Sequence, residues 1–582
     1  MWRQSETDLD EGGELTKWCQ KSPGNKAIPA RWGATAGILA LAVNPKWKFR
    51  ITPLARSTRW LLADERNSKW IKSAFLLTAV IYLIFIGVAE LGPINYYGND
   101  VLLQLDGGWR IFNGQIPYRD FYLGLGPLEY SITAAGMLLT HGGPRALALG
   151  NVAFGIAVGI WGWLLLRRRM AVIPALAAVA WLILTATSPS PLGSEYLSSA
   201  MIYNRHGWAL LAIVLVECTF SSQRSRFLGG VSSGIALILM AFLKLSFFGV
   251  AFLLVLPTLP LKREEMRRCW GILTGIAVTV AAFSFYLRFA VSAFLVDMGL
   301  TIQARSGKLS YVAAIAEIPR SPVLVTVAIF SVIVALLVTG GKLCQRNGVT
   351  LILLGFIVVA TAPLLRRCNF GEKGYQLTAL WVITLLGSLV AAYPRAREKA
   401  VILTVIALGL GSIAADFFQN AENMVTLVQY QVPSVQSKGV TMAGQGMEHL
   451  RFYGSSGGEL SGDNGRLYVA DVNDGVALLT GWSSPKETVL TLGFHNPFPY
   501  LLRRKPAWGG GTWFLWGDNF PETHLLEASL MFGDAALIMV PHYPSSHQGS
   551  DEKIEQAYHA YLSQHFSFVA SSQSWSLYRR KE

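Results

Sequence analysis

Asp100–Tyr130 reads DVLLQLDGGWRIFNGQIPYRDFYLGLGPLEY, a polar and aromatic stretch with three aspartates in a chain otherwise dominated by apolar runs. Its contrast with its flanks decides the fold class. Hydrophobic residues make up 52% of the 582 and charged residues only 15%, where a soluble domain carries about 25% charged residues. The missing charge is concentrated in long apolar segments, which predicts a polytopic α-helical membrane protein. The quoted stretch is then a loop held at a membrane surface. The formal charge of +14 invites a nucleic-acid reading. The Lys and Arg, however, stand in short clusters between apolar segments, where such clusters set membrane topology, so no nucleic-acid partner is expected. Five cysteines without a CxxC pair argue against a disulfide framework.

Hydropathy places a first span at about 73–91, after a cytoplasmic N-terminal tail, 1–72, whose apolar patch at 33–43 is too short to cross. Further spans are expected at about 145–166, 171–188, 205–222, 227–243, 245–261, 269–290, 321–341, 349–365, 377–393 and 400–418. Eleven spans starting inside bring the C-terminus outside. Arg167–Arg169, Lys262–Arg268 and Arg395–Lys399 then fall on the cytoplasmic side, as the positive-inside rule requires. The membrane domain is 73–418, with a first outer loop at 92–144. From 419 to 582 the composition becomes that of a soluble domain. RLYVADV, ETVLTLGF, AALIMVP and SFVASS read as strands and Asp551–His565 as a helix, which predicts an extracytoplasmic α/β domain after a connector at 453–465.

Within the first loop, Val101, Leu102, Leu105, Trp109 and Phe112 recur at helical spacing and stop at Asn113-Gly114. The spacing predicts a short amphipathic helix lying flat at the interface with its Trp toward lipid. A second helix is expected over Pro127–Thr140. Asp100 stands where the first span gives way to the interfacial helix, able to face water while a lipid-borne substrate approaches sideways.

The arrangement D-x13-G-x2-PYRDF-x4-GPL-x-Y, directly after a first span, resembles the membrane glycosyltransferases of the GT-C superfamily. It is most similar to bacterial relatives of protein O-mannosyltransferases and lipid A aminoarabinose transferases (family 39-like). The resemblance implies a bacterial inner-membrane enzyme whose donor is a polyprenyl-phosphate sugar. Its catalytic aspartate in the first outer loop matches Asp100. The family often has two adjacent acidic residues here, whereas this chain has Asn99-Asp100.

The chemistry asks for the same residue types. An inverting glycosyl transfer needs one carboxylate to take the acceptor hydroxyl's proton. The phosphate leaving group needs cations rather than an acid. Asp100 is the candidate base, with helix capping as its structural alternative. Asp120 is the candidate second carboxylate, or else a turn residue held by Arg119. Asp106, four residues before Arg110, reads as an i,i+4 ion pair. Tyr118 and Arg119 are candidate substrate contacts. So are Tyr203, Asn204 and Arg205 in YNRHGWAL, a segment that also suits an interfacial anchor belt.

Lys244, between two apolar spans, and Arg366 with Arg367 are the favoured phosphate binders; Arg305, Lys308 and Lys373 are further cations on that side. Lone His206 is expected to pack or cap. No metal-ligand spacing is present and no cofactor is expected, with a divalent ion left open by the family's variation at Asn99. Trp482, Trp508, Trp513 and Trp516 read as an aromatic cluster that either stacks on sugar or packs the domain. The expected function is transfer of a sugar to a glycan, lipid or protein acceptor on the outer face. The alternatives are a lipid-linked oligosaccharide polymerase or ligase, and a non-catalytic transport or assembly protein.

Overall fold

Every one of the eleven apolar segments is helical. In chain order the helices are α1 (Glu65–Val88), α2 (Gly98–Phe112), α3 (Pro127–Thr140), α4 (Ala146–Leu166), α5 (Val172–Thr187) and α6 (Ile202–Thr219). There follow α7 (Arg226–Ala241), α8 (Leu245–Val255), α9 (Arg267–Tyr286), α10 (Val291–Arg305), α11 (Tyr311–Glu317) and α12 (Pro322–Val338). The series closes with α13 (Arg346–Cys368), α14 (Gln376–Ala392) and α15 (Ala400–Tyr430). This computed structural model describes residues 65–582, apart from isolated positions and short stretches such as 89–92, 189–196, 220–225, 260–265, 306–310, 370–375, 393–399, 455–463 and 544–548. Most of the expected N-terminal tail and connector, and Glu195, Lys308, Glu372 and Lys373, lie outside the described residues.

Among the described residues, Lys69–Val88, Ala146–Leu166, Arg267–Tyr286 and Asn347–Cys368 are long and apolar enough to cross a membrane alone. Tyr311–Arg320 and Pro322–Val338, meeting at 75°, make a fifth crossing if they act as one span. Others, such as α5, α7 and α8, have 16 residues or fewer, below the roughly 20 that a straight crossing needs. Helix length thus establishes fewer crossings than hydropathy predicted.

The apolar helices share one large core, built around side chains such as Trp181, Leu211, Leu254 and Trp381. Its tightest seam joins α7 to α9. Gly230, Gly234, Gly271 and Gly275 each lie so close to the facing backbone that a Cβ would come within about 2.3 Å of a carbonyl oxygen. Paired GxxxG segments of this kind let helices pack where no hydrophobic effect drives them together.

The C-terminal region carries α16 (Gly465–Trp482), β1 (Val489–Thr491), β2 (Leu537–Pro541), α17 (Ser550–His565), β3 (Phe566–Ser571) and β4 (Trp575–Arg580). The strand order is β1-β2-β4-β3, parallel between β1 and β2 and antiparallel elsewhere. Alternation along the strands builds the layers. Val489, Leu537, Met539 and Leu577 share a core with Val472 and Leu479 of α16. The intervening Leu490, Ile538 and Val540 share another with Ile554 and Leu562 of α17.

One expected strand is a correction: RLYVADV lies inside α16. The Asn464 side chain accepts from the amides of Arg466 and Leu467 at 3.1 and 3.4 Å, and this cap starts a helix. Tyr468, Val472, Val476 and Leu479 then keep a helical period that a seven-residue window of β-formers conceals.

The first loop packs into this C-terminal region, and residues 58–582 form one compact unit. Val101, Leu102, Leu105 and Trp109 share a core with Phe452, Tyr468 and Tyr500. Accordingly the apolar face of α2 and its Trp109 are covered by protein rather than turned toward lipid. Trp109 is buried, donates its indole N–H to the Arg504 carbonyl at 2.9 Å and packs edge-on to Tyr500. Trp482, Trp508, Trp513 and Trp516 do not form one cluster either. Trp482 and Trp508 are exposed, Trp513 packs on Phe494 and Trp516 on Phe520.

Candidate active site

The first turn of α2 sets the position of Asp100. Tyr97 precedes it in the left-handed region, at φ 50°, an uncommon conformation for a residue with a Cβ. The Asp100 amide donates to the Tyr97 carbonyl at 3.1 Å and to the Asn99 side chain at 3.0 Å, so the turn is closed locally. Asp100 itself is half-buried. Its charge acts on three phenols from three different elements: Tyr130 of α3, Tyr203 of α6 and Tyr468 of α16. Tyr130 approaches so closely because Gly107 leaves room, a Cβ there falling 2.1 Å from its ring.

Tyr203 connects this carboxylate to cations. The Lys244 ammonium stands 5.1 Å from its ring centroid, and the Arg305 guanidinium acts on its phenol. Lys244 and Arg305 both act on Cys368 as well. Lys244 sits at the break between α7 and α8, where its Nζ donates to Asn204 Oδ1 (3.0 Å), Asn369 Oδ1 (2.7 Å) and the Cys368 carbonyl (3.1 Å). The expected phosphate binder is therefore also a tie between α6 and the end of α13. Arg305, at the end of α10, is paired with Asp518 at 2.7 Å.

The remaining candidates are placed differently. Asp120 accepts from the Ile116 amide at 2.8 Å and from Arg119 at 2.7 and 2.8 Å. Burial acts to raise its carboxyl, but Arg119 and the Ile116 amide outweigh that and hold it below the usual carboxylate range. Both residues thus hold the turn, the alternative to a catalytic role. Tyr118 is buried and donates to the Leu125 carbonyl at 2.8 Å. Asp106 pairs with Arg110 at 3.0 Å as the spacing predicts, both fully buried. Burial pushes its carboxyl up to about 6, against Arg110. Arg205 is buried and donates to the Ala200 carbonyl at 2.8 Å, a scaffolding contact. Arg366 and Arg367 grip Glu317 at 3.0 and 3.3 Å and are not brought to Asp100 by any contact among the described residues.

Glu129, Asp297 and His495 escaped the sequence reading, whereas His206, expected to pack or cap, is buried. Glu129 and His206 form a buried pair at 2.9 Å, with the imidazole against Phe154. Asp297 of α10 is buried and accepts from the Leu123 amide at 3.2 Å; burial pushes its carboxyl up to about 7. His495 is buried beside Tyr468. An ionisable residue inside an apolar helix was the available signal for Glu129 and Asp297.

Two cavities, of about 280 Å³ at Lys72, Trp163 and Arg167 and about 470 Å³ at Ile81, Phe85, Val88 and Gln431, are not lined by Asp100 or the residues around it. No group of acidic, His or Cys side chains able to hold a metal occurs among the described residues. The chemistry the arrangement offers is proton acceptance by a half-buried carboxylate whose charge acts on Tyr203, a ring on which Lys244 and Arg305 act as well. No known protein family matches the chain, and no curated protein does.

Proposed function

We propose that the chain is an integral-membrane glycosyltransferase, in which Asp100 takes the proton of an acceptor hydroxyl while a polyprenyl-phosphate sugar loses its phosphate. The observation that carries this reading is the neighbourhood of Tyr203, where Asp100, Lys244 and Arg305 act on one ring. The developing negative charge of the departing phosphate falls to Lys244 and Arg305, the two cations that act on Tyr203, rather than to Arg366 and Arg367, which pair with Glu317; all four hold protein partners that the phosphate has to displace. A phosphate leaves without protonation, so a single base suffices. This reading includes eleven crossings in a bacterial inner membrane, with the N-terminus cytoplasmic and the C-terminal region outside. The acceptor is a glycan, lipid or protein.

The test is mass spectrometry of isoprenoid lipids retained by the purified protein, together with turnover of labelled polyprenyl-phosphate sugars by wild type and Asp100→Asn. Retention in both proteins with turnover only in the wild type supports the reading. Equal behaviour of the two in every assay sinks it.

A further inference from the structure

The first turn of α2 is built jointly with the C-terminal region. Ile94 donates to the Arg451 carbonyl at 3.0 Å and accepts from the Tyr453 amide at 2.8 Å, which clips the chain before Tyr97 onto residues 451–453. Gly98 then lies against the Tyr468 and Phe452 rings so tightly that a Cβ would come within 2.9 Å of Tyr468. Tyr468 is fully buried, and its hydroxyl meets Nε2 of His495, itself buried. Tyr97, left-handed and three residues before Asp100, is flanked by these contacts, which hold the turn in place.

We infer that Tyr468 and His495 are positioning residues for Asp100: the Tyr468 ring seats the first turn of α2, and His495 accepts the Tyr468 hydroxyl hydrogen bond so that it is not offered to the carboxylate. This rests on Asp100 being the working carboxylate of the proposed transfer. Burial pushes the His495 imidazole down to about 3, so the ring is neutral and its Nε2 accepts when Nδ1 carries the proton. A phenol that donates to imidazole presents its oxygen lone pairs elsewhere. Freed of that acceptor, it turns toward the nearest anion and stabilises the ionised form. The other groups facing Asp100 are Tyr130 of α3, whose hydroxyl shares a hydrogen bond with Thr512 at 3.0 Å, and Tyr203 of α6. Glu129 and Asp106 act on Tyr130, and Asp471 acts on Tyr468.

The test is a pH titration of the Asp100 carboxyl by difference infrared spectroscopy on the full chain in lipid discs, the band being identified by its loss in Asp100→Asn. His495→Leu is expected to lower the midpoint by about half to one pH unit, and His495→Gln, which keeps an acceptor, to restore it. In a Tyr468→Phe background His495→Leu has no further effect. A pair that is only structural lowers thermal stability and leaves the midpoint in place, and that result overturns the inference. Should His495→Leu not fold, His495→Met, which is closer to the imidazole in length and offers no strong acceptor, is read in its place, and an unmoved midpoint overturns the inference equally. None of these measurements needs turnover. A responsive midpoint in a protein that transfers no sugar refutes the proposed function alone, and transfer with an unresponsive midpoint refutes the positioning role alone.

Discussion

The beginning and the end of α2 each carry an aspartate, and their surroundings differ in kind. Toward the end, Asp106 is fully enclosed with Arg110, which also donates to the Ala507 and Gly509 carbonyls at 3.2 and 3.1 Å. At the beginning, Asp100 is half-buried among phenols from three elements, with Lys244 and Arg305 beyond one of them. The turn that follows repeats the first pattern, with Asp120 gripped by Arg119 and by a backbone amide. Three aspartates of one loop thus divide into two that hold a guanidinium at bonding distance and one that is half-buried among phenols. A carboxylate that holds a guanidinium at bonding distance is committed to that ion pair.

The largest effect expected from this contrast is at Asp100. Asp100→Asn should lower transfer about 10²–10⁴-fold, the usual contribution of a positioned base, with little change in denaturation midpoint. Equal activity of the variant and the wild type erases the distinction. At the other end, Asp106→Ala leaves the buried Arg110 charge without its partner and should cost about 3–5 kcal/mol of stability, read from thermal denaturation in lipid discs.

A third carboxylate sharpens the comparison through pH. Burial holds the Asp297 carboxyl at about 7, above its ordinary value of 3.8, so between those values the folded chain holds more protons than the unfolded one. Stability therefore falls as pH rises through that window, by up to about 4 kcal/mol. Asp297→Asn keeps an acceptor for the Leu123 amide and should be the more stable protein at pH 8, with the gain vanishing near pH 4. An equal gain at both pH values would show that burial of the charge is not the cause. Last and smallest, Asp120→Asn retains an acceptor for Ile116 and loses only a half-exposed ion pair, so it should cost about 1 kcal/mol.

Periodicity in the sequence located the helices well: Pro127–Thr140 and the helix at 551–565 form where the spacing predicts. It failed at RLYVADV, because seven residues of β-formers outweighed the cap at Asn464 and the longer helical period. It failed again for α2, whose apolar stripe says that one face is buried but not whether by lipid or by protein. The Asp106–Arg110 pair was legible because its partners are four residues apart on one helix. The Glu129–His206 pair was not, because 77 residues separate its members.

Composition and apolar runs alone determined a helical chain with membrane-length segments, a polar first loop and a C-terminal region of mixed α/β character. How each acid of the first loop is surrounded was decided only by the tertiary structure. Lys244 meets Asn369 across 125 residues and Trp109 meets Arg504 across 395, and no local pattern encodes such meetings. Local sequence sets backbone geometry through short-range sterics and hydrogen bonds. Charge partners and solvent access arise where distant segments exclude water together.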